Sequence, residues 1–265
     1  MRNFKKFLAL VMATLMILSA AVITTGAADS KADYTEAAQH LVALKIMKGD
    51  EKGNLMLENG VTRYQAALFF AQTLSGETRV EVWNADKKST AFKYVTEYGT
   101  AIDYVYGRKV VAGRGNGVFG PNDPITYQDM LVMAVRALGY ETADMNYPYG
   151  YILAAQKLGL TDNVENVNYK AALTRGETSQ IIWDMLNTVI AVVDPLNDKI
   201  LYPDDKGLTE AITDKKLERK TMLVDSGYAS GEISGTITAF FAAADDDDVD
   251  TVLVDGTYNT GKKDK

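Results

Sequence analysis

The stretch Val61-Thr62-Arg63-Tyr64-Gln65 recurs in altered form at two later places in the chain. The second copy reads Ile125-Thr126-Tyr127-Gln128-Asp129, and the third reads Leu173-Thr174-Arg175-Gly176-Glu177. When the copies are aligned on their threonines, further residues match on both sides without a gap. The apolar columns are Leu41, Val105 and Leu153; Ile46, Val110 and Leu158; Phe70, Ala134 and Ile182; and Leu74, Leu138 and Leu186. This number of matches at fixed distances indicates three copies of one structural unit.

Each anchor threonine is predicted to be a helix N-cap, because its hydroxyl can accept a hydrogen bond from a free amide of the first turn. The residue three positions later is Gln65, Asp129 or Glu177. Glutamine and glutamate can reach back to the cap amide and form a capping box, whereas Asp129 is a shorter approximation. Apolar residues follow each cap at helical spacing, so the sequence predicts an amphipathic helix after every anchor.

A second amphipathic helix is predicted before each anchor, around residues 36–47, 100–111 and 149–158. A loop rich in turn residues, of equal length in all copies, joins the two helices. A column of lysines, which either lines the space between copies or lies on a solvated helix face, is formed by Lys45, Lys109 and Lys157. One helix pair buries too little apolar surface to be stable alone, so the copies are expected to pack together. A short extra helix is predicted near Phe92–Thr96.

The N-terminus has the pattern of a secretory signal peptide, predicted to comprise residues 1–28. Three basic residues precede an apolar run from Phe7 to Leu18, and small residues follow. A membrane anchor is the alternative, which polar interruptions of the run disfavour. We expect no stable membrane span after removal of the signal. Loss of its three basic residues takes the net charge from −7 to −10.

The composition excludes several classes of function. An acidic chain is a poor nucleic-acid ligand, since that binding needs a basic face. The chain has no cysteine, so disulfide and thiol chemistry are absent. With His40 as the single histidine, expected on a helix flank, a histidine-rich zinc site and a Ser-His-Asp triad are poorly supported. No catalytic residue, metal site or cofactor is predicted.

The three anchor motifs resemble the Ile-Thr-Arg-Ala-Glu signature of the S-layer homology domain. Copy two also contains Gly113 and Gly117-Val118-Phe119-Gly120-Pro121, which is similar to the Gly-x-Phe-x-Pro loop of that family. The resemblance covers residues 34–188, with repeats at about 34–75, 95–139 and 147–188. It implies a mainly α fold in which three helix-loop-helix repeats form a pseudo-threefold arrangement with grooves between them.

The resemblance also implies a function. Domains of this family anchor exported proteins non-covalently to secondary cell-wall polysaccharide, often bearing pyruvate ketals, and the signature arginine contacts the ketal carboxylate. Arg63 and Arg175 are therefore the leading candidates for glycan binding, because arginine matches a carboxylate with a planar fork and a helix N-terminus favours an anion. Thr62, Thr174 and Glu177 flank these arginines.

The copies depart from the signature unequally. Copy two has Tyr127 in place of arginine, so its groove is either silent or holds sugar by stacking. Copy three has Val167 and Tyr169 where the loop phenylalanine and proline are expected. The number of working grooves is therefore expected to be two or one.

After the repeats the sequence changes character. Residues 189–220 are predicted to be a linker with a short helix at 208–220, and residues 221–265 a small β-rich segment. Its strands are predicted at Met222–Val224, Gly231–Phe241 and Thr251–Tyr258, which are few for a stable sheet, so an incomplete domain is expected. The leading interpretation is a secreted, non-enzymatic anchor at the cell surface. The alternatives are a wall-active hydrolase that the repeats target, and a surface-lattice protein that self-assembles.

Overall fold

The structure is a computed structural model that describes residues 32–76, 87–165, 168–194, 199–203 and 220–228, together with three strands nearer the C-terminus. Residues Asp33–Lys265 form one unit. The predicted signal peptide, nearly all of the helix predicted at 208–220, and Val167 lie outside the described residues.

The described part of the chain is mainly helical, as predicted. Six helices form three pairs: α1 Thr35–Ala43 and α2 Arg63–Ser75; α3 Gly99–Gly107 and α4 Tyr127–Ala137; α5 Tyr149–Lys157 and α6 Arg175–Asn187. Strands β1 Val192–Asp194 and β2 Lys199–Leu201 form an antiparallel pair within the segment predicted as a linker. A short helix, α7 Met222–Asp225, precedes the antiparallel strands β3 Ile237–Phe241, β4 Thr251–Val254 and β5 Thr257–Thr260.

Three predicted elements are wrong. The single strand predicted at Thr251–Tyr258 is instead two antiparallel strands, β4 and β5. Met222–Val224 belongs to helix α7 and not to a strand, because a short apolar run without alternation fits a buried turn of helix as well as a strand. No helix occurs at 92–96. Lys93 instead forms an isolated β-bridge with Val118, and the Lys93 amide donates to the Gly117 carbonyl at 2.7 Å.

The second helix of each pair begins at its anchor threonine, as predicted. The Thr62 and Thr174 hydroxyls accept from the amides of Gln65 and Glu177 at 3.3 and 3.2 Å, and the side chains of those two residues accept from the cap amides in return. Thr126 makes only the first of these bonds, because the side chain of Asp129 is one carbon shorter. The predicted apolar stripe lies in the core in all three helices, with Leu74 only partly buried, and it packs the pairs together.

The first helix of each pair ends in the same Schellman arrangement, in which a residue at positive φ donates back to the last turn. Lys45, Lys109 and Gly159 occupy this position, with φ of 56°, 61° and 74°. The amide after each of them donates to a carbonyl five residues back: Ile46 to Leu41, Val110 to Val105, and Leu160 to Ala155. Because this turn stops the helix, α1 and α3 are shorter than predicted.

This geometry corrects the gapless alignment. Gly159, and not Lys157, is the counterpart of Lys45 and Lys109, so the loop of copy three is two residues shorter than the other two. The true counterpart of the buried Leu41 is the buried Ala155, whereas the aligned Leu153 is 66% exposed. The prediction of equal loop lengths was wrong because helical periodicity lets a shifted apolar residue match by chance.

Replacing Lys109 with glycine is expected to raise the free energy of unfolding by about 0.5–1 kcal/mol. A side chain at positive φ is strained, and the relief exceeds the extra entropy of glycine in the unfolded chain. The matched control is Arg108→Gly, because Arg108 has an ordinary φ of −83° and its loss offers no such relief. Urea denaturation followed by circular dichroism separates the two, and equal destabilisation by both variants would contradict the prediction.

The residues before the three anchors form a closed ring of backbone hydrogen bonds. The Val61 amide donates to Leu173, the Leu173 amide to Ile125, and the Ile125 amide to Val61, at 3.0, 3.0 and 2.9 Å. All three side chains are buried. The ring brings the starts of α2, α4 and α6 together, so each anchor motif meets a loop of another pair.

Candidate functional site

Three contacts of the same construction join the helix pairs, here numbered repeat 1 (α1–α2), repeat 2 (α3–α4) and repeat 3 (α5–α6). In each, the first two amides after an anchor threonine donate to two carbonyls in the loop of the next repeat. The pairs are Arg63 to Asp123 and Tyr64 to Pro121 (the first seam), Tyr127 to Ala171 and Gln128 to Tyr169 (the second seam), and Arg175 to Asn59 and Gly176 to Leu57 (the third seam), at 2.8–3.1 Å. These bonds satisfy amides that a helix start leaves without an intrahelical partner.

Arg175 is the centre of the third seam. Its Nε donates to the carbonyl of Leu55 at 3.0 Å, and its Nη2 donates to the carbonyl of Lys48 at 2.9 Å. The guanidinium lies 5.7 Å from the centroid of the Phe69 ring. The residue is only 8% exposed, and this burial lowers the pKa of the guanidinium from its ordinary value. No carboxylate of the described residues lies within 4.0 Å of it, so within this part of the chain the buried charge has no counter-ion.

Arg63 makes equivalent bonds in the first seam. Its Nε donates to Phe119 and its Nη2 donates to Ala112, at 3.2 and 2.9 Å. The difference is a carboxylate, because Asp129 Oδ2 lies 3.8 Å from Arg63 Nη1. Both predicted arginines therefore lie in seams, in the same pose. The sequence did not predict that each arginine donates hydrogen bonds to two backbone carbonyls of a neighbouring repeat.

The charges around Arg63 oppose one another. Burial lowers its pKa first, and the neighbouring Arg114 lowers it further, while Asp129 and Asp123 raise it. Arg114 and Asp123 form their own ion pair, with Nε and Oδ2 2.6 Å apart. The first seam thus places carboxylates close to its arginine, whereas no carboxylate of the described residues lies within 4.0 Å of Arg175.

Tyr127 fills the second seam in place of an arginine. Its ring stacks on Tyr169 with centroids 5.2 Å apart, and the residue is 1% exposed. Burial, followed by the neighbouring Tyr169, raises the pKa of its hydroxyl. The ring of Tyr127 is part of the packing between repeats 2 and 3, which does not favour the stacking of a sugar on it, and the binding role of Tyr127 stays a prediction.

The other predicted site residues are used as helix caps. Thr62 and Thr174 accept from the first turn of α2 and α6. Glu177 Oε2 accepts from both the amide and the hydroxyl of Thr174, at 2.8 and 3.0 Å. These three side chains therefore fix the backbone that places Arg63 and Arg175.

Sequence reasoning missed Tyr147. Its ring is exposed at the start of α4, where its hydroxyl donates to Asp129 Oδ1 at 2.7 Å and accepts from Gln128 Nε2 at 3.0 Å. These bonds hold the carboxylate of Asp129 at the first seam. Tyr147 precedes α5 and belongs to no repeated column, so no sequence signal pointed to it.

Comparison with known proteins gives one family match, which falls on the helix pair α3–α4 and the segment before it. Residues 93–131 match the family model of the S-layer homology domain. The match runs from the bridge at Lys93 through the glycine-rich loop to the first turns of α4, and so covers the half of the first seam that receives Arg63. Arg63 and Arg175 both lie outside the matched residues. The carbonyls that accept from Arg63 lie inside the match, and those that accept from Arg175 lie outside it.

Relatives of the chain are surface proteins. It is 33% identical over 191 residues to a cell surface protein of Thermoanaerobacter kivui, an alignment covering 69% of the chain and 24% of the relative. It is 26% identical over 186 residues to the middle cell wall protein of Brevibacillus brevis, covering 70% and 17%. It is 24% identical over 206 residues to a surface layer protein of Brevibacillus choshinensis, covering 77% and 18%. The chain thus spans about a quarter or less of the length of these relatives.

The S-layer homology domain and these relatives place the chain among secreted, cell-wall-associated surface proteins. Every helix in the described part of the chain is too short or too polar to cross a membrane. The described residues also contain no group of three or more side chains suited to hold a metal ion.

Proposed function

We propose that the chain anchors an exported protein to the cell wall non-covalently, by binding secondary cell-wall polysaccharide at the seams. In this proposal residues 34–188 are three S-layer homology repeats around a pseudo-threefold axis. The hydrogen-bonded ring and the shared seam bonds support this arrangement. The match of repeat 2 to the family and the surface-protein relatives support the location.

The observation that carries the proposal is the buried charge of Arg175, which has no carboxylate partner among the described residues. A buried cation without a counter-ion is unfavourable unless a ligand supplies the opposite charge. Nε and Nη2 hold backbone carbonyls, so the guanidinium is oriented while Nη1 remains for an acidic group. A charge-assisted bond to a carboxylate, such as a pyruvate ketal, contributes roughly 1.5–3 kcal/mol.

The helix starts add to this preference. Arg63 and Arg175 are the first residues of α2 and α6, where the helix dipole favours an anion. A local cation of this kind allows a chain of net charge −7 to hold an acidic glycan, since exposed charges elsewhere are screened beyond about 8–10 Å. Thr62, Thr174 and Glu177 contribute by fixing the backbone at these starts.

Self-assembly into a surface lattice is the second candidate, because one relative is named a surface layer protein. The two functions are compatible, since a lattice protein also needs attachment to the wall. Size measurement of the protein at rising concentration, without wall material, tests self-assembly separately.

Sedimentation with purified cell walls tests the anchoring proposal. The secreted chain is expected to pellet with walls that carry the polysaccharide, and to stay in solution with walls stripped of it. The variant with both Arg63→Gln and Arg175→Gln is expected to bind roughly 10- to 100-fold more weakly, the effect of losing a charge-assisted contact.

Arg108→Gln is the matched control, because Arg108 lies over the ring of Tyr104 and not in a seam. Circular dichroism of all variants shows whether they are folded. If stripped walls pellet the protein equally well, or if the folded double variant binds like the wild type, the anchoring proposal is wrong.

A further inference from the structure

The three seams differ at a second position, which comes from the repeat that supplies the loop. In the first seam Arg63 faces Asp129, the third residue after the anchor of repeat 2, at 3.8 Å. In the second seam burial, the neighbouring tyrosines and then Glu177, the third residue after the anchor of repeat 3, raise the pKa of the Tyr127 hydroxyl. The equivalent residue for Arg175 in the third seam is Gln65, the third residue after the anchor of repeat 1.

The facing positions therefore give each seam a different charge. The pair Arg63 and Asp129 is neutral, the pair Tyr127 and Glu177 is negative, and the pair Arg175 and Gln65 is positive. Two exposed loop residues add opposite charges, Lys170 at the second seam and Glu58 at the third, but neither is among the groups that shift the pKa of Tyr127 or of Arg175. Arg114 and Asp123 at the first seam cancel as an ion pair, and burial is the sole cause that shifts the pKa of Arg175.

We propose that, of the three seams, the third one binds the acidic group of the ligand, and that the residue facing the arginine decides this. Gln65 leaves the charge of Arg175 available, whereas Asp129, held by Tyr147, already neutralises Arg63. The inference rests on the proposed function and refines it: one carboxylate-bearing sugar binds per chain, at Arg175.

Residue 65 sets the charge opposite Arg175, and it can be substituted without loss of its capping bond. Its Oε1 accepts from the Thr62 amide at 3.0 Å, which closes the capping box at the start of α2. Glutamate makes the same bond and is equally suited to this position. Gln65→Glu therefore changes the charge of the third seam while the cap stays intact. Asp129→Asn makes the opposite change in the first seam.

The test is calorimetric titration with the methyl glycoside of a hexose 4,6-pyruvate ketal, with its neutral methyl ester as the control ligand. The wild-type chain is expected to bind one equivalent of the ketal and to bind the ester at least tenfold more weakly. Gln65→Glu is expected to weaken ketal binding by roughly tenfold or more, since a protein carboxylate then competes for Arg175. Its midpoint of thermal unfolding is expected to be unchanged or higher.

The double variant Gln65→Glu with Asp129→Asn gives the most discriminating test. It is expected to bind one equivalent. On addition of the ketal, the Nε–Hε signal of Arg63 is expected to shift in the NMR spectrum, and that of Arg175 is expected to stay in place. Two equivalents on the wild type, one lost with each arginine, would overturn this inference and leave the anchoring proposal standing. Equal affinity for ketal and ester would also overturn it. Failure to bind both the ketal and the intact walls would overturn the anchoring proposal itself.

Discussion

Replacing Asp184 with asparagine is expected to raise the free energy of unfolding by about 3 kcal/mol at pH 7. Asp184 lies in α6, where its Oδ1 accepts from Asn163 and Gln180 at 3.1 and 2.9 Å. Its Oδ2 is buried and has no partner among the described residues. Burial raises the pKa of this carboxyl from 3.8 to about 6, against the opposing effect of the two hydrogen bonds. A shift of about two units corresponds to about 3 kcal/mol.

The pH dependence follows from the direction of the shift. Because the folded pKa is raised, the stabilising effect of protonation is fully present below about pH 4 and is lost as the pH rises through about 6. Asparagine has no charge to bury, so the gain over the wild type is largest at pH 7 and approaches zero near pH 4. His40, stacked on Trp183 with a pKa lowered by burial, titrates in the opposite sense but is common to both proteins.

Urea denaturation at intervals from pH 4 to pH 7.5 measures this difference. Asp162→Asn is the matched control, because Asp162 is exposed and is the neighbouring acid that raises the pKa of Asp184. We expect it to change stability by less than about 0.5 kcal/mol. A difference between Asp184→Asn and the wild type that stays constant with pH would show that the carboxylate is not the cause.

The features that the sequence predicted well are local. A threonine followed three residues later by glutamine or glutamate defines a helix start through bonds within one turn, and both capping boxes occur as expected at Thr62 and Thr174. The apolar stripe after each cap is likewise local, because a helix at that position presents those residues on one face. Thus the helices α2, α4 and α6 followed from short stretches alone.

The features that it missed depend on distant contacts or on backbone conformation. The two-residue difference in the loop of repeat 3 became visible only from the positive φ of Gly159, since Leu153 and Leu158 continue an apolar helical pattern that tolerates a shift. The column of Arg63, Tyr127 and Arg175 differs between the copies in the sequence itself, and its unequal role in binding stays a prediction. The sequence did not predict that Asp129, Glu177 and Gln65 lie opposite this column, because each of them belongs to the next repeat in the ring.

Gly99→Ala is expected to lower the free energy of unfolding by about 3 kcal/mol or more. A Cβ at Gly99 would lie 1.9 Å from the amide nitrogen of Ser89 and 2.0 Å from the carbonyl carbon of Lys88. Both are backbone atoms, and hydrogen bonds on either side prevent the backbone of residues 87–90 from moving away. The Gly99 amide donates to Lys87 at 2.7 Å, and Asp103 accepts from the amide and hydroxyl of Thr90. Overpacking against fixed backbone costs more than against a flexible side chain.

The same helix supplies the matched control. Gly107 is the last residue of α3, and a Cβ there would meet no atom within 4 Å. Gly107→Ala is therefore expected to stabilise the protein by about 0.5–1 kcal/mol, the ordinary gain of alanine over glycine in a helix. The two identical substitutions should thus change stability in opposite directions. Denaturation of both variants checks this, and destabilisation by both would show that α3 rejects alanine for another reason.

The substitution at Gly99 should also disturb the first seam while the third seam stays intact. The segment it displaces holds Phe92 against Phe119, with ring centroids 5.2 Å apart, and the carbonyl of Phe119 accepts from Arg63. Hydrogen exchange of amides in 113–121 is therefore expected to accelerate in Gly99→Ala, while those of 48–57, which face Arg175, stay protected. Since Arg175 is the proposed ligand contact, folded Gly99→Ala should still pellet with cell walls. Loss of wall binding without unfolding would instead place the ligand at the first seam.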